Sequence, residues 1–107
     1  MIGRRALLTV GLAAIALPAR AGKNEPVCQG KAVESEAEAI AIARKALTAK
    51  YGVQAVAAQE PLHSPRGEPL SGRWIIVGTV TGDVIGGNFN VLLDQGSGCV
   101  LAMQIDP

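Results

Sequence analysis

The chain has 107 residues, of which 49% are hydrophobic and 18% are charged, with ten basic and nine acidic side chains. This length suits one small domain with a modest core. The near balance of charge provides neither the basic surface that nucleic acids require nor the polybasic patch that anionic lipids attract, so we expect neither as a partner.

The first 21 residues follow the pattern of a cleavable signal peptide. Arg4 and Arg5 give a positively charged start, and residues 6–17 form an uncharged, mostly apolar stretch. Ala19 and Ala21 occupy the small-residue positions of an A-x-A cleavage site. The apolar stretch is too short for a membrane-spanning helix, which needs about twenty residues. We therefore predict a periplasmic or secreted protein that does not insert in the membrane after cleavage.

The adjacent arginines also resemble a twin-arginine export signal. Gly3 and Thr9 depart from the usual neighbours in that motif, whereas Arg20 beside the cleavage site suits it. Both the twin-arginine and the general secretory route stay open here. Cleavage after Ala21 removes three arginines, which leaves seven basic against nine acidic side chains and a net charge of −2.

The two cysteines, Cys28 and Cys99, both lie in the mature part of the chain. An even number of cysteines in an oxidising compartment favours a disulfide, and only one pairing is available. The alternative is a pair of unbonded thiols. A redox-active pair is not expected, because no C-x-x-C spacing occurs.

The mature chain starts with an extended lead-in over residues 22–34, followed by one domain over residues 35–107. Ser35 and Glu38 match a capping box, which predicts that a helix begins at residue 36. Apolar side chains then recur at spacings of three and four, and Gly52 is placed to end the helix as a left-handed cap. The predicted apolar face consists of Ile40, Ala43, Leu47 and Tyr51.

The remaining residues favour strands joined by short connections. Residues 53–58 are β-prone but rich in alanine and predict a short strand, and the proline-rich residues 61–72 predict a loop. Further strands are predicted over residues 73–81, 88–93 and 99–105.

Two of these strands have predicted faces. In the strand over residues 73–81, one face consists of Trp74, Ile76, Gly78 and Val80. In the strand over residues 99–105, one face consists of Cys99, Leu101, Met103 and Ile105. Short turns make neighbouring strands antiparallel, and the helix must cover one side of the sheet. The predicted class is α+β, with one helix on an antiparallel sheet of three to four strands.

Candidate catalytic groups are few. His63 is the only histidine and lies in the proline-rich loop, where exposure to solvent is the expected state. No nucleophile, zinc-protease or phosphate-loop motif occurs, and the cysteine and histidine spacings match no zinc site. Gly86 and Gly87 precede a strand rather than a helix, so we interpret them as turn residues and not as a phosphate cradle. We expect no enzymatic activity, cofactor or metal.

Several short motifs along the chain resemble one bacterial family. They are the helix with its Tyr-Gly end, a Trp-x-x-Val-Gly-Thr strand, a Gly-Gly turn, and an Asp-x-x-x-Gly closing hairpin. Their order is similar to that of the immunity proteins of the nuclear transport factor 2 (NTF2) fold, found in polymorphic toxin systems. The residues that carry the resemblance are Tyr51, Gly52, Trp74, Gly78, Thr79, Gly86, Gly87, Asp94 and Gly98.

The resemblance implies a curved antiparallel sheet packed on a helix, as a reduced form of the cone-shaped fold. It also implies a binding protein that neutralises a partner toxin, here in the cell envelope because the chain is exported. Two alternatives stay open. PepSY-type domains, which act as protease-inhibitory or regulatory modules, share an Asp-x-x-x-Gly hairpin. A small-ligand-binding member of the cone-shaped fold would hold its ligand between sheet and helix.

Overall fold

The computed structural model of the protein describes residues 27–82 and 86–107. The predicted signal peptide and the first residues of the lead-in lie outside this part of the chain. The elements in chain order are α1 (Glu36–Tyr51), α2 (Val53–Ala57), β1 (Arg73–Val77), β2 (Phe89–Asp94) and β3 (Val100–Ile105). None of the helices that the structure describes is long and apolar enough to cross a membrane.

Helix α1 begins with the predicted capping box. The Ser35 hydroxyl accepts a hydrogen bond from the Glu38 backbone N–H at 3.2 Å, and the Glu38 carboxylate accepts one from the Ser35 N–H at 3.2 Å. These bonds satisfy amide groups that the start of a helix otherwise leaves unpaired. The face that packs on the sheet differs from the predicted one and shares only Ala43 and Leu47 with it, because Ala39, Ile42 and Ala46 are buried in place of Ile40 and Tyr51. It is formed by Ala39, Ile42, Ala43, Ala46 and Leu47, with Ile40 and Tyr51 half-buried at its margin.

The strand predicted over residues 53–58 is wrong, because this segment forms the short helix α2. Three alanines favour helix more strongly than the two valines favour strand. Gly52 separates the helices with φ 98° and ψ 157°, a conformation that only glycine adopts readily. Its N–H donates to the Thr48 carbonyl at 2.9 Å. Gly52 therefore ends α1 as predicted, but in an extended mirror-image conformation rather than the left-handed helical one.

The three strands form one antiparallel sheet in the order β1-β2-β3. Trp74 and Ile76 of β1 point towards α1 and are buried, as predicted from the alternation of the strand. The strand ends at Val77 rather than at residue 81 as predicted, because the Thr79 N–H donates to the Gln59 carbonyl and not to a neighbouring strand. The inward side chains of β2 are Phe89, Val91 and Leu93. This helix-on-sheet arrangement confirms the α+β class and corresponds to a reduced NTF2-like fold.

The face predicted for the last strand is wrong at its beginning. A β-bulge interrupts the register between β2 and β3, because Leu92 pairs with Ala102 whereas Leu93 pairs with Val100. The extra residue is Leu101, which is 48% exposed, and Val100 takes the buried position. Beyond the bulge Met103 and Ile105 lie opposite the inward-facing Val91 and Phe89.

Irregular segments run along both edges of the sheet. The proline-rich loop covers the outer edge of β1, where His63 and Val77 exchange two backbone hydrogen bonds of 3.0 and 2.8 Å. The lead-in follows residues 95–100 in the antiparallel direction, and the Val27 carbonyl accepts from the Val100 N–H at 2.7 Å. The lead-in is also attached to the core, since the buried Trp74 indole N–H donates to the Val33 carbonyl at 3.0 Å.

Candidate functional site

The face of the sheet opposite α1, called here the outer face, is the candidate binding surface. Its side chains form short rows across the strands, as the pairing of the strands requires. The central row is Ile75, Leu92 and Ala102, and the next row is Val77, Asn90 and Gln104. Ile75, Val77, Leu92 and Asn90 are half-buried, and Ala102 and Gln104 are exposed.

These rows form the floor of a shallow, open groove of about 310 Å³, lined by Ile75, Asn90, Leu92, Ala102 and Gln104. None of the lining side chains carries a charge. Charged side chains lie beyond the rows, at the cross-strand pair Arg73 and Asp94 on one side and at Asp106 on the other. Protein–protein interfaces have this composition, with few charges at the centre and a polar rim. The side-chain amides of Asn90 and Gln104, on the neighbouring strands β2 and β3, can each donate and accept hydrogen bonds.

The titratable groups of the described residues lie in several separate places. No group of three or more histidine, cysteine, aspartate or glutamate side chains lies close enough to hold a metal ion within residues 27–82 and 86–107. His63 is exposed in the loop, with its Nδ1 3.4 Å from the Pro61 carbonyl oxygen. Because it pairs directly with Val77, its side chain lies beside Val77 at the β1 edge of the outer face.

Two carboxylates of the described residues have lowered pKa values because of the hydrogen bonds they accept. Arg44 donates two hydrogen bonds to Glu60, of 2.7 and 3.0 Å, which lower the pKa of Glu60 and raise that of Arg44. This ion pair ties α1 to the start of the loop. In the closing hairpin, the Ser97 hydroxyl and N–H both donate to Asp94, and these bonds lower the pKa of the Asp94 carboxyl.

The residues that carried the family resemblance lie in the scaffold. The Tyr51 ring stacks on Phe89 with 4.9 Å between the ring centroids, so the end of α1 is packed on the start of β2. Gly52 ends α1, and Trp74 attaches the lead-in to the core. Asp94 accepts hydrogen bonds within the closing hairpin, in which the Gly98 N–H also donates to the Asp94 carbonyl at 2.8 Å.

The glycine and threonine of the Trp-x-x-Val-Gly-Thr strand organise the end of the sheet. Gly78 lies beneath the side chain of Gln59, where a β-carbon at position 78 would overlap the Gln59 amide. That amide accepts from the Phe89 N–H at 2.8 Å and donates to the Gly87 carbonyl at 3.0 Å. The Thr79 hydroxyl donates to the Pro61 carbonyl at 2.8 Å and so holds the loop in place.

The glycine pair and the last glycine of the hairpin lie where backbone segments approach each other. Gly86 and Gly87 both have positive φ, and a β-carbon on Gly86 would overlap the carbonyl of Pro107. A β-carbon on Gly98 would lie 2.9 Å from the Lys31 carbonyl oxygen, so the lead-in can cross there only over a glycine. The structure therefore gives all nine motif residues packing or backbone roles, and none of them belongs to the groove.

The structure joins Cys28 and Cys99 in a disulfide bond. The two residues face each other across the antiparallel pairing of the lead-in with the start of β3. They form a pair without direct backbone hydrogen bonds, since the bonds run between their neighbours, from Gln29 N–H to Gly98 and from Val100 N–H to Val27. Side chains are closest at such pairs, which explains why cysteines at these two positions can bond.

Sequence reasoning alone missed three residues of interest. Gln59 gives no sequence signal, because its bonds to Phe89 and Gly87 span about thirty positions and exist only in the folded chain. Asn90 and Gln104 were placed in strands, but their direct pairing depends on the strand register. The only available signal was that both are polar residues at positions where the strands otherwise carry apolar side chains.

A comparison with protein-family models matches the model described as "NTF2 fold immunity protein" to residues 38–106. The matched region starts in the first turn of α1 and ends after β3, so it includes the whole sheet and the groove. It supports the immunity-protein resemblance over the PepSY-type one. Searches of the curated proteins and of the solved structures found no match. The family match covers well over half of the chain, and we conclude that this protein belongs to the NTF2 fold immunity protein family.

Proposed function

We propose that this protein is an exported immunity protein that binds and neutralises a toxin in the cell envelope. The observation that carries the proposal is the family match over residues 38–106. Membership of an immunity family implies a protein partner and a non-catalytic role. The described residues are consistent with that role, because their hydrogen-bonded carboxylates serve the helix, the loop and the hairpin rather than a reaction centre.

Two features support a role in the envelope rather than in the cytoplasm. The first 21 residues have the charged start, apolar stretch and cleavage site of a signal peptide. The disulfide between Cys28 and Cys99 is the kind of bond that forms and persists in an oxidising compartment. An inhibitor sent to the envelope meets its toxin there.

We further propose that the toxin contacts the outer face of the sheet. The uncharged centre around Ile75 and Leu92 suits an apolar ridge on the toxin, and the amides of Asn90 and Gln104 can bond to its peptide groups. A specific interface buries about 800 Å² on each partner. The three-stranded face therefore supplies the centre of the contact, and the strand ends, with Arg73 and Asp94, supply its rim.

A growth-protection experiment tests the proposed location. The probe is a candidate toxin identified from the genes that neighbour this one, directed either to the periplasm or to the cytoplasm of a test strain. We expect the full chain to protect cells from the periplasmic toxin, and a chain that lacks residues 2–21 to give no protection from it. Equal protection by both forms would show that export is not required. Failure of either form to neutralise the toxin, even when the purified proteins are mixed, would overturn the immunity function itself.

A pair of variants tests the proposed face. Leu92→Lys places a charge at the centre of the groove, and we expect it to weaken toxin binding about tenfold or more. Val53→Lys is the matched control, because Val53 is a 69% exposed aliphatic residue on α2. Binding measured by calorimetry should be unchanged by the control. Retention of full affinity by the folded Leu92→Lys variant would place the toxin on another surface.

A further inference from the structure

One edge of the sheet carries backbone groups that no described residue satisfies. The Phe89 carbonyl accepts from the Gly78 N–H at 3.0 Å, so Phe89 turns its peptide group towards β1. Its cross-strand partner Ile105 must then turn its own N–H and C=O away from β2, to the open side of β3. The same alternation applies to Met103, because it lies opposite Val91, two residues further along β2.

The open edge is confined to the last part of β3. The lead-in covers the beginning of the strand through the Val27–Val100 bond, and the loop covers the opposite edge of the sheet. Within residues 27–82 and 86–107 no donor or acceptor bonds to the N–H or C=O of Met103 or Ile105. The exposed length therefore starts at the bulge residue Leu101.

Between the bulge at Leu101 and the terminal Asp106 and Pro107, this edge lacks the features that normally keep edge strands apart. Proteins commonly protect an open edge with lysine, proline or an inward-pointing charge. The strand β3 reads Val-Leu-Ala-Met-Gln-Ile and contains none of these. Leu101 and Ile105 are 48% and 49% exposed on it. Unpaired peptide groups in an extended conformation are satisfied by another extended strand, so the edge indicates strand addition.

We propose that the occupant is a second copy of this chain, whose β3 pairs antiparallel with the first across a two-fold axis at Gln104. In this register Gln104 lies opposite its own symmetry mate and Met103 lies opposite Ile105 of the other copy. Ala102 lies opposite Asp106, so no like charges meet. The outward groups of Met103 and Ile105 then form hydrogen bonds with each other across the axis.

The residues that the structure describes leave room for this pairing. The overlap extends from residue 101 to residue 107, so it ends before Val100, where the lead-in occupies the edge. The upstream residues 22–26 are less suited to the same edge, because they read Gly-Lys-Asn-Glu-Pro, all types depleted in strands. The product is one continuous six-stranded sheet with both outer faces on the same side and accessible to a partner.

The strength of the association follows from its size. A single strand pair buries less than the roughly 1,200 Å² at which stable interfaces begin, so the dimer should dissociate on dilution. Sedimentation velocity of the purified, processed protein tests this directly. We expect the average mass to rise from that of a monomer to that of a dimer as concentration increases. A mass that stays at the monomer value throughout would overturn the proposal.

Charge complementation at the axis gives the sharper test. In Gln104→Glu or Gln104→Lys, each dimer would bring two like charges side by side, so each variant alone should be monomeric. Mixing the two variants should restore a dimer, because opposite charges then meet. Asn90→Lys is the matched control, since it carries the same charge on the same face but lies one strand from the edge.

Each outcome of the second test has a defined meaning. The control should keep the wild-type mass, because like charges two strands further apart are largely screened by salt. Circular dichroism verifies that each variant is folded. Dimers that persist in both single variants, or a mixture that stays monomeric, would exclude pairing about Gln104.

Discussion

The Gln59 side chain crosses directly over Gly78, with its Cδ 3.1 Å from the place where a β-carbon at position 78 would lie. From there its amide reaches the Phe89 N–H and the Gly87 carbonyl, which are the first groups of β2. Phe89 itself is stacked on Tyr51 at the end of α1. A single glycine thus allows one side chain to connect the loop, the helix end and the sheet.

We expect Gly78→Ala to lower the free energy of unfolding by about 1–3 kcal/mol, because displacement of the Gln59 amide leaves the Phe89 N–H without a partner. Chemical denaturation measures the loss. Gly96→Ala is the matched control, since its new β-carbon would meet nothing closer than an Asp94 carboxylate oxygen at 3.7 Å.

The same interaction predicts a strong non-additivity. In a Gln59→Ala background, Gly78→Ala should lower the free energy of unfolding much less, because most of the Gln59 atoms that the new β-carbon would displace are already absent. If the cost of Gly78→Ala is the same in both backgrounds, the close approach of Gln59 is not the reason for the glycine.

Trp74→Phe removes the indole N–H that donates to the Val33 carbonyl. We expect a loss of about 1–3 kcal/mol and faster hydrogen exchange at the Val33 N–H, which bonds to the Gln95 carbonyl at 2.8 Å. Ile76→Val trims the same buried strand but removes no hydrogen bond to the lead-in. This variant should lower the free energy of unfolding by about 0.5–1.5 kcal/mol. Exchange at the Val33 N–H should then be no faster than this global loss of stability predicts. Equal exchange rates in both variants would show that the indole does not anchor the lead-in.

Removal of the disulfide, by a reducing agent or by the double change of Cys28 and Cys99 to serine, should destabilise the protein by about 4 kcal/mol. The bond spans 71 positions, and chain entropy in the unfolded state predicts this magnitude for a loop of that length. The reduced wild type and the serine variant should unfold at similar denaturant concentrations. Alkylation of the unreduced, denatured protein should label no thiol, and two labelled cysteines would contradict the bond.

Acid should destabilise the protein through Glu60 and Asp94, whose pKa values are lowered in the folded state. A carboxyl whose pKa is lower in the folded than in the unfolded protein stabilises the fold at pH values above its unfolded pKa, which is about 4. This contribution is lost as the pH falls through the folded pKa. The free energy of unfolding should therefore decline below about pH 4. Glu60→Gln and Arg44→Gln should flatten that decline to a similar extent, because each removes the same ion pair. An unchanged acid dependence in both variants would contradict this assignment.

The parts of the fold predicted from sequence are those set by local signals. The capping box at Ser35 placed the beginning of α1, and the alternation around Trp74 gave the buried side of β1. The segment after Gly52 was predicted wrongly because it is short, and valine and alanine favour different structures. Leu101 was assigned to the wrong face because a bulge is a property of two paired strands and cannot be inferred from one of them.

The candidate site was less accessible to sequence reasoning than the scaffold. The motif that identified the family lies in caps, turns and close contacts, where glycine and threonine are required by geometry. The groove residues are ordinary strand residues whose proximity depends on the register of β1, β2 and β3. Family membership could thus be inferred from the sequence, whereas the surface that meets a partner could not.

The bond between Cys28 and Cys99 also constrains the order of events during biosynthesis. The ribosome adds Cys99 seventy-one residues after Cys28, so oxidation must wait until the chain has been made as far as the start of β3. A chain threaded through a translocon in an unfolded state would cross the membrane before this covalent loop closes. Maturation would then finish outside the cytoplasm, and the oxidative machinery of that compartment, rather than translation, would determine when the inhibitor acquires its full resistance to unfolding.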